Sequence, residues 1–210
     1  MPTPESQRGH AGLIAGVVLA AGLSRRLGRP KQLLELGGAP LVAHVVERAN
    51  ASALDRVIVV TGHAHEDVAT ALRGQVANVV FNPHFAEGQS TSLIAGVKAL
   101  PTDCDALVVL LGDQPLVSAS AIDRLIARRR AHGDAVVMTG YGETRSHPIL
   151  FGRELFPELL TASGDQGARQ IVRRHRDAVA VVESGEASPP ADVDTEEAYA
   201  ALLDAWAGRR

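Results

Sequence analysis

Short unbroken apolar runs alternate along this chain with longer stretches in which apolar residues recur every three to four positions. The apolar runs are Leu13 to Leu19, Val57 to Thr61, Val76 to Phe81, Ala106 to Leu111, Ala135 to Thr139, Ser146 to Phe151 and Val179 to Glu183. Runs without polar alternation predict strands covered on both faces, as in a parallel sheet. Helical periodicity fills the intervals at 40–51, 65–73, 90–100, 118–132 and 196–207, with further helices from Arg153 and Gly167. Pro40 suits a first helical turn, and Pro101 closes the helix before it. This order predicts an α/β fold: a three-layer α/β/α sandwich around a Rossmann-like, mostly parallel sheet, with Ser146 to Phe151 as a candidate antiparallel strand. Ligands of such sheets bind beyond the carboxyl ends of the strands.

Residues 1–12 read as a polar, Pro-containing tail and 13–210 as a single domain, long enough to bury about 70% of its extended surface. Composition narrows the function classes. A net charge of −3 without a basic stripe argues against nucleic acid. Cys104 is the single cysteine, which excludes an intrachain disulfide and suits a reducing compartment. Between Asp103 and Asp105, just before an apolar strand, it reads as a small packing residue. No apolar stretch has the length of a membrane span, and Met1 to His10 lacks a signal-peptide core, so a soluble, cytoplasmic protein without membrane contact is expected. His63 and His65 have no third His or Cys at ligand spacing, which argues against zinc. Trp206 reads as a packing residue.

The first apolar run leads directly into Leu19-Ala20-Ala21-Gly22-Leu23-Ser24-Arg25-Arg26-Leu27-Gly28-Arg29-Pro30-Lys31. A strand that ends in small residues followed by glycines, Ser24, Arg26 and Lys31 brings backbone N–H groups and fixed positive charge up to phosphate. Gly22 and Gly28 are expected to supply close approach and positive φ. The loop is not a P-loop: five residues separate the glycines, Lys31 comes three later and Gln32 follows it. Position 24 is Ser, so the dinucleotide fingerprint G-x-G-x-x-G is absent too. The loop reads as a nucleoside triphosphate site. Leu111-Gly112-Asp113-Gln114-Pro115 ends the most apolar strand, where Asp113 is placed to ligate a hard cation such as Mg²⁺. Ser118 is available to cap the next helix, which frees Asp113 from that role. Gly88-Gln89-Ser90-Thr91-Ser92, following Asn82-Pro83, offers hydroxyls and amides at a helix start, with Ser90 as its candidate cap.

The pattern L-A-A-G-x-S-x-R-x-G-x-P-K resembles the signature of the MobA-like nucleotidyltransferases. Its Ala-Ala and the Gly-Asp-Gln-Pro segment are most similar to the molybdenum cofactor cytidylyltransferase branch. The resemblance runs from about Ala15 to Ala201. It implies transfer of CMP from CTP to the terminal phosphate of molybdopterin, with Mg²⁺ as cofactor and transient contact with a molybdenum hydroxylase. It places Leu19, Ala20, Ala21, Gly22, Ser24, Arg26, Lys31, Gly88, Ser92 and Asp113 around the nucleotide, with Lys31, Arg26 and Asp113 catalytic. Asp194, in Asp192-Val193-Asp194-Thr195-Glu196-Glu197, would join Asp113 on the metal, with Asp192 as the alternative ligand, although Asp194 or Thr195 could instead cap the last helix. Ser146-His147-Pro148 and Gly164-Asp165-Gln166-Gly167-Ala168-Arg169 resemble the branch's acceptor segments, which implies acceptor contacts from His147, Asp165 and Arg169. Ser146 stands where the branch carries Gly, and Asp165 could instead cap a helix. A sugar 1-phosphate or another small phosphate is an alternative acceptor. A non-catalytic cofactor-insertion factor is the alternative of another class.

Overall fold

The computed structural model describes residues 12–208; the expected tail therefore lies outside the described residues except for Gly12. Nine strands and seven α-helices occur among the described residues. The strands are β1 (Leu13–Ala20), β2 (Glu35–Leu36), β3 (Ala39–Pro40), β4 (Arg56–Thr61), β5 (Asn78–Phe81), β6 (Cys104–Leu111), β7 (Val136–Tyr141), β8 (Thr144–Gly152) and β9 (Val179–Glu183). The helices are α1 (Leu41–Asn50), α2 (His65–Ala71), α3 (Gln89–Lys98), α4 (Ala119–His132), α5 (Phe156–Leu159), α6 (Ala168–Arg174) and α7 (Glu196–Ala207).

Seven strands form one sheet in the order β5-β4-β1-β6-β8-β7-β9, while β2 and β3 pair in a separate small hairpin. All neighbours in the large sheet run parallel except at β8, which is antiparallel to both β6 and β7. The reversal matters for function. Because Val109 pairs with Ile149 and Ala106 with Gly152, the beginning of β8 lies beside the carboxyl end of β6. Arg145, Ser146 and His147 are thereby delivered to the same edge as the loops that follow β1 and β6.

Period-two burial sorts the strand residues into two faces. Ile14, Val18, Val59, Val108 and Leu110 pack with Val42 and Val46 of α1, Val68 of α2 and Ile122 and Leu125 of α4. Val17, Ile58, Val60, Leu107 and Val109 pack with Leu93 and Val97 of α3, Leu159 of α5 and Ile171 of α6. The three layers expected from the apolar runs are present. A third cluster joins Leu27, Leu34, Leu36 and Leu41 to Val193 and Leu202, seating α7 under the loop after β1. Trp206 belongs to this cluster and lies edge-on to His44 at 5.1 Å.

Local chemistry adjusts several boundaries. The strand expected from Val76 begins at Asn78, and Val76 is 81% exposed. The second helix stops at Ala71 rather than Arg73. The helix expected from Ser90 begins at Gln89 with Gly88 as its N-cap, so Ser90 is a buried first-turn residue and not the cap. Gly96 lets α3 lie directly on β1, since a Cβ there would collide with the side chain of Val17. Ser118 caps α4 by accepting from the Ala121 amide at 3.3 Å, which leaves the Asp113 carboxylate out of that role.

Candidate active site

The loop after β1 has a conformation fixed by Ser24. Its φ is 51°, making it the non-glycine residue with positive φ among the described residues; Gly28 takes φ 65°, whereas Gly22 does not adopt positive φ as expected. The Ser24 carbonyl accepts from the amides of Leu27 and Gly28 at 3.0 and 3.1 Å, and its hydroxyl accepts from the Lys31 amide at 3.0 Å. A β-carbon in the left-handed region stores strain, which the three hydrogen bonds offset. No acceptor among the described residues reaches the amides of Leu23, Ser24, Arg25 and Arg26. Such unengaged donors in a turn form a concavity suited to an anion.

Three segments meet at this loop. The Gly112 amide donates to the Leu19 carbonyl at 3.0 Å, sewing the ends of β6 and β1 together. Gln114 donates to the Pro190 carbonyl at 3.3 Å and to Asp192 Oδ1 at 2.7 Å, holding the segment before α7 across the site. Thr195 caps α7 by accepting from the Ala198 amide at 3.2 Å, so Asp194 is free to face inward. Arg29 grips Glu196 through Nε and Nη2, and the Tyr199 hydroxyl donates to the Glu35 carbonyl at 2.5 Å.

At the centre, the Lys31 ammonium donates both to Asp113 Oδ2 and, at 2.6 Å, to Asp194 Oδ1. Arg26 donates to the other Asp194 oxygen at 2.7 Å. Burial would push the Lys31 ammonium down, but Asp113 and Asp194 outweigh it and hold Lys31 charged. Burial pushes the Asp113 carboxyl up; Lys31 opposes this, and the nearby Asp192 charge adds to it. For Asp194 burial also acts upward, yet Lys31 and Arg26 prevail and keep it below the ordinary carboxylate range. Three carboxylates thus face one ammonium and one exposed guanidinium. Among the described residues no group of three or more His, Cys, Asp or Glu side chains is arranged to hold a metal ion by itself. Two oxygen donors converging on one cationic point fit Mg²⁺ or Mn²⁺, which take one or two carboxylates and complete their shell with phosphate and water.

A cavity of about 550 Å³ opens over this centre. Leu19, Ala21, Gly22, Arg26, Lys31, Gly88, Ser92, Asp113 and Asp194 all line it, as do Asp165 and Arg169. Ala20 and Ser24, expected at the nucleotide, do not: Ala20 packs in the core and Ser24 shapes the loop from behind. Ser92 Oγ accepts from Asn82 Nδ2 at 3.0 Å, which leaves its own O–H to donate into the cavity. Asp192, the alternative metal ligand, lines it too, and Leu23, Arg25, Gln32, Phe85 and Ala86 do so without having been singled out as contacts. Gln32 could have been found as the polar neighbour of Lys31; its amide reaches back to the Gly22 carbonyl at 3.3 Å.

His147 lines an adjoining cavity of about 500 Å³, into which Asp165 and Arg169 also project. These two residues border both cavities, where the turn at 164–167 abuts Gly88; a Cβ on Gly88 would stand 2.9 Å from Asp165 Oδ1. The Asp165 side chain does not cap α6, whose N-cap is Gly167. Burial, aided by the Arg169 charge, lowers the His147 pKa to about 4, so its imidazole is neutral. His63 and His65 line neither cavity, and His65 Nδ1 is paired with the Thr61 hydroxyl at 2.7 Å.

A mostly parallel sheet carrying a phosphate-type loop, a charged lysine and paired aspartates on its carboxyl edge defines a nucleotide-binding α/β protein of the nucleotidyltransferase type. Residues 16–179 match the MobA-like NTP transferase domain, and the chain belongs to that family. It is similar to the nicotine blue oxidoreductase of Paenarthrobacter nicotinovorans, 32% identical over 90% of this chain and 96% of the relative. It is equally similar to the purine catabolism protein PucB of Bacillus subtilis strain 168, 32% identical over 89% of this chain and 94% of the relative. Among solved structures, an Rv0371c homologue from Mycobacterium sp. strain JC1 superposes with a TM-score of 0.84 at 32% identity, covering 94% of this chain and 98% of that one. Rv0371c of Mycobacterium tuberculosis in complex with manganese superposes with a TM-score of 0.77 at 30% identity, covering 91% and 98%. A nucleotidyl transferase from Methanothermobacter thermautotrophicus gives 0.81 at 25% identity, covering 94% and 99%. No helix among the described residues is long and apolar enough to cross a membrane.

Proposed function

We propose that this protein transfers CMP from CTP to the terminal phosphate of molybdopterin, with release of pyrophosphate, in the cytoplasm. The observation that carries the reading is the Lys31 ammonium held between Asp113 and Asp194 at the end of a MobA-like loop. An acceptor phosphate oxygen forms a bond to the α-phosphorus of CTP in line, while the bond from that phosphorus to the oxygen bridging to the β-phosphorus breaks. The nucleophile needs no strong base, because the second pKa of a phosphate monoester is about 6. Catalysis is then positioning and charge neutralisation.

Each side chain has a task in that scheme. The free amides at Leu23 to Arg26 cradle the triphosphate, and Lys31 and Arg26 stabilise charge growing on pyrophosphate. Asp113 and Asp194 would hold Mg²⁺, which when bound neutralises phosphate charge as a Lewis acid. Gly88 and Ser92 face the base and ribose, and His147, Asp165 and Arg169 face the acceptor. The molybdenum cofactor reading draws on the motif resemblance, and manganese in the Rv0371c complex supports a divalent cation. A molybdenum hydroxylase would receive the product.

The test is Mg²⁺-dependent pyrophosphate release from CTP, GTP, ATP and UTP, each with and without molybdenum-loaded molybdopterin. Release from CTP only in the presence of the pterin is expected. Release with a sugar 1-phosphate in its place would keep the loop chemistry and move the acceptor. Tight pterin binding with no pyrophosphate from any nucleotide would overturn catalysis in favour of an insertion factor. The Paenarthrobacter relative is named an oxidoreductase, which makes redox chemistry on the same fold the second reading. Oxidation of a reduced nicotinamide coupled to two-electron reduction of an added quinone, without pyrophosphate release, would select it.

A further inference from the structure

The acceptor cavity carries more positive charge than its assigned residues account for. Arg145 from β8 and Arg173 from α6 line it together with Arg169, against the single carboxylate of Asp165. Arg169 and Arg173 are four apart on one helix and share a face, an arrangement in which like charges repel. Neighbouring arginines are neutralised: Arg174 reaches Glu158 at 2.9 Å and Arg176 reaches Asp177 at 3.5 Å. Arg145, Arg169 and Arg173 reach no carboxylate or carbonyl among the described residues. His147 adds an independent sign of a ligand. The residue is 8% exposed, and its neutral ring hydrogen-bonds to no described residue, while its backbone carbonyl is tied to the Tyr141 hydroxyl at 2.9 Å. The ring lines the cavity, so what fills the cavity completes its hydrogen bonding. Met138, Ile149 and Val172 give the same cavity an apolar wall.

We propose that Arg145 and Arg173 form a second anion subsite, which takes an oxyanionic group of the acceptor other than its reacting phosphate. The reacting phosphate lies at the Asp165–Arg169 boundary, where the two cavities meet. The body of the acceptor rests on Met138, Ile149 and Val172 with His147 as a hydrogen-bond partner. A second anionic group is bound by Arg145 and Arg173, whose planar forks suit a carboxylate or another oxyanion. This rests on the nucleotidyltransferase reading only for the direction in which the reacting phosphate points. Arg145 and Arg173 are then specificity residues that select acceptors carrying a second anionic group over simple phosphate esters.

The test uses two probes differing only at the far end, 4-carboxyphenyl phosphate and its neutral counterpart 4-carbamoylphenyl phosphate. Binding is measured by calorimetry to protein saturated with α,β-methylene-CTP and Mg²⁺, so the triphosphate site is filled and no transfer occurs. The carboxylate probe is expected to bind about tenfold or more tightly than the amide, the worth of one charge-assisted contact. An R145M/R173M variant should lose that preference while its affinity for the nucleotide analogue and its melting temperature stay unchanged, because both arginines are exposed. Equal affinity for the probes, a preference that survives in the variant, or no binding of either probe would overturn the subsite. These readouts do not involve turnover. A protein that prefers the carboxylate probe yet releases no pyrophosphate from CTP would sink the transfer reaction and leave the subsite standing.

Discussion

The two halves of the carboxyl edge handle charge in opposite ways. Around the loop after β1, almost every charged group has a partner: Lys31 on Asp113 and Asp194, Arg26 on Asp194, and Arg29 on Glu196. Around the start of β8 and α6, Arg145, Arg169 and Arg173 have no partner among the described residues and stand beside a neutral His147. A centre whose charges already satisfy one another holds its catalytic groups in place until triphosphate and cation exchange for those internal partners. A surface of unsatisfied cations instead gains its energy when ligand arrives. One half is built to do chemistry on a common reagent, the other to choose its partner.

The largest effects should come from breaking the paired half. Asp113→Ala or Lys31→Ala is expected to lower kcat about 10²–10³-fold or more, with the fold retained by circular dichroism. Full activity in either variant would contradict the site. Next comes the neutral histidine of the unpaired half. The native His147 imidazole stays uncharged down to about pH 4, while an unfolded histidine protonates near about 6.5. The unfolded state therefore binds the extra proton first. The native state loses stability as the pH falls from about 6.5 to about 4, by on the order of 3 kcal/mol. His147→Gln should flatten denaturant-derived stability across that window, and an unchanged slope would place the protonation elsewhere.

Smaller changes test how the strap over the site is held. Thr195→Ala removes the α7 cap and should cost about 1 kcal/mol in chemical denaturation, with KM for nucleotide raised because Asp194 directly precedes the cap. Arg29→Ala removes an exposed ion pair with Glu196, both side chains being more than half exposed, and should shift stability by less than about 1 kcal/mol. A loss of several kcal/mol there would mean that the clasp between loop and α7 is a structural linchpin.

The sheet was legible because strands buried on both faces leave continuous apolar runs, of which Ala106 to Leu111 is the clearest. The loop after β1 was legible because its chemistry is contiguous. The β2–β3 hairpin was not, since two-residue strands carry no period and depend on tertiary contacts with the loop and α7. Nor was the Ser24 backbone, because positive φ is expected at glycine and here a hydroxyl bonded to the Lys31 amide supports it. That Lys31 would lie between two aspartates 82 and 163 positions away could only follow from the meeting of β1, β6 and the strap before α7. Arg145 and Arg173 belong to no motif and are 28 positions apart; only the reversal of β8, which sets the first opposite α6, brings them together.

The most direct test of the central claim is single-turnover transfer of label from α-phosphate-labelled CTP to molybdenum-loaded molybdopterin in the presence of Mg²⁺. Wild-type protein should move the label to the pterin and release unlabelled pyrophosphate, and the Asp113→Ala and Lys31→Ala variants should not. Label that stays on CTP in the wild type, or that reaches the pterin equally fast in the variants, would contradict a transfer reaction centred on Lys31, Asp113 and Asp194.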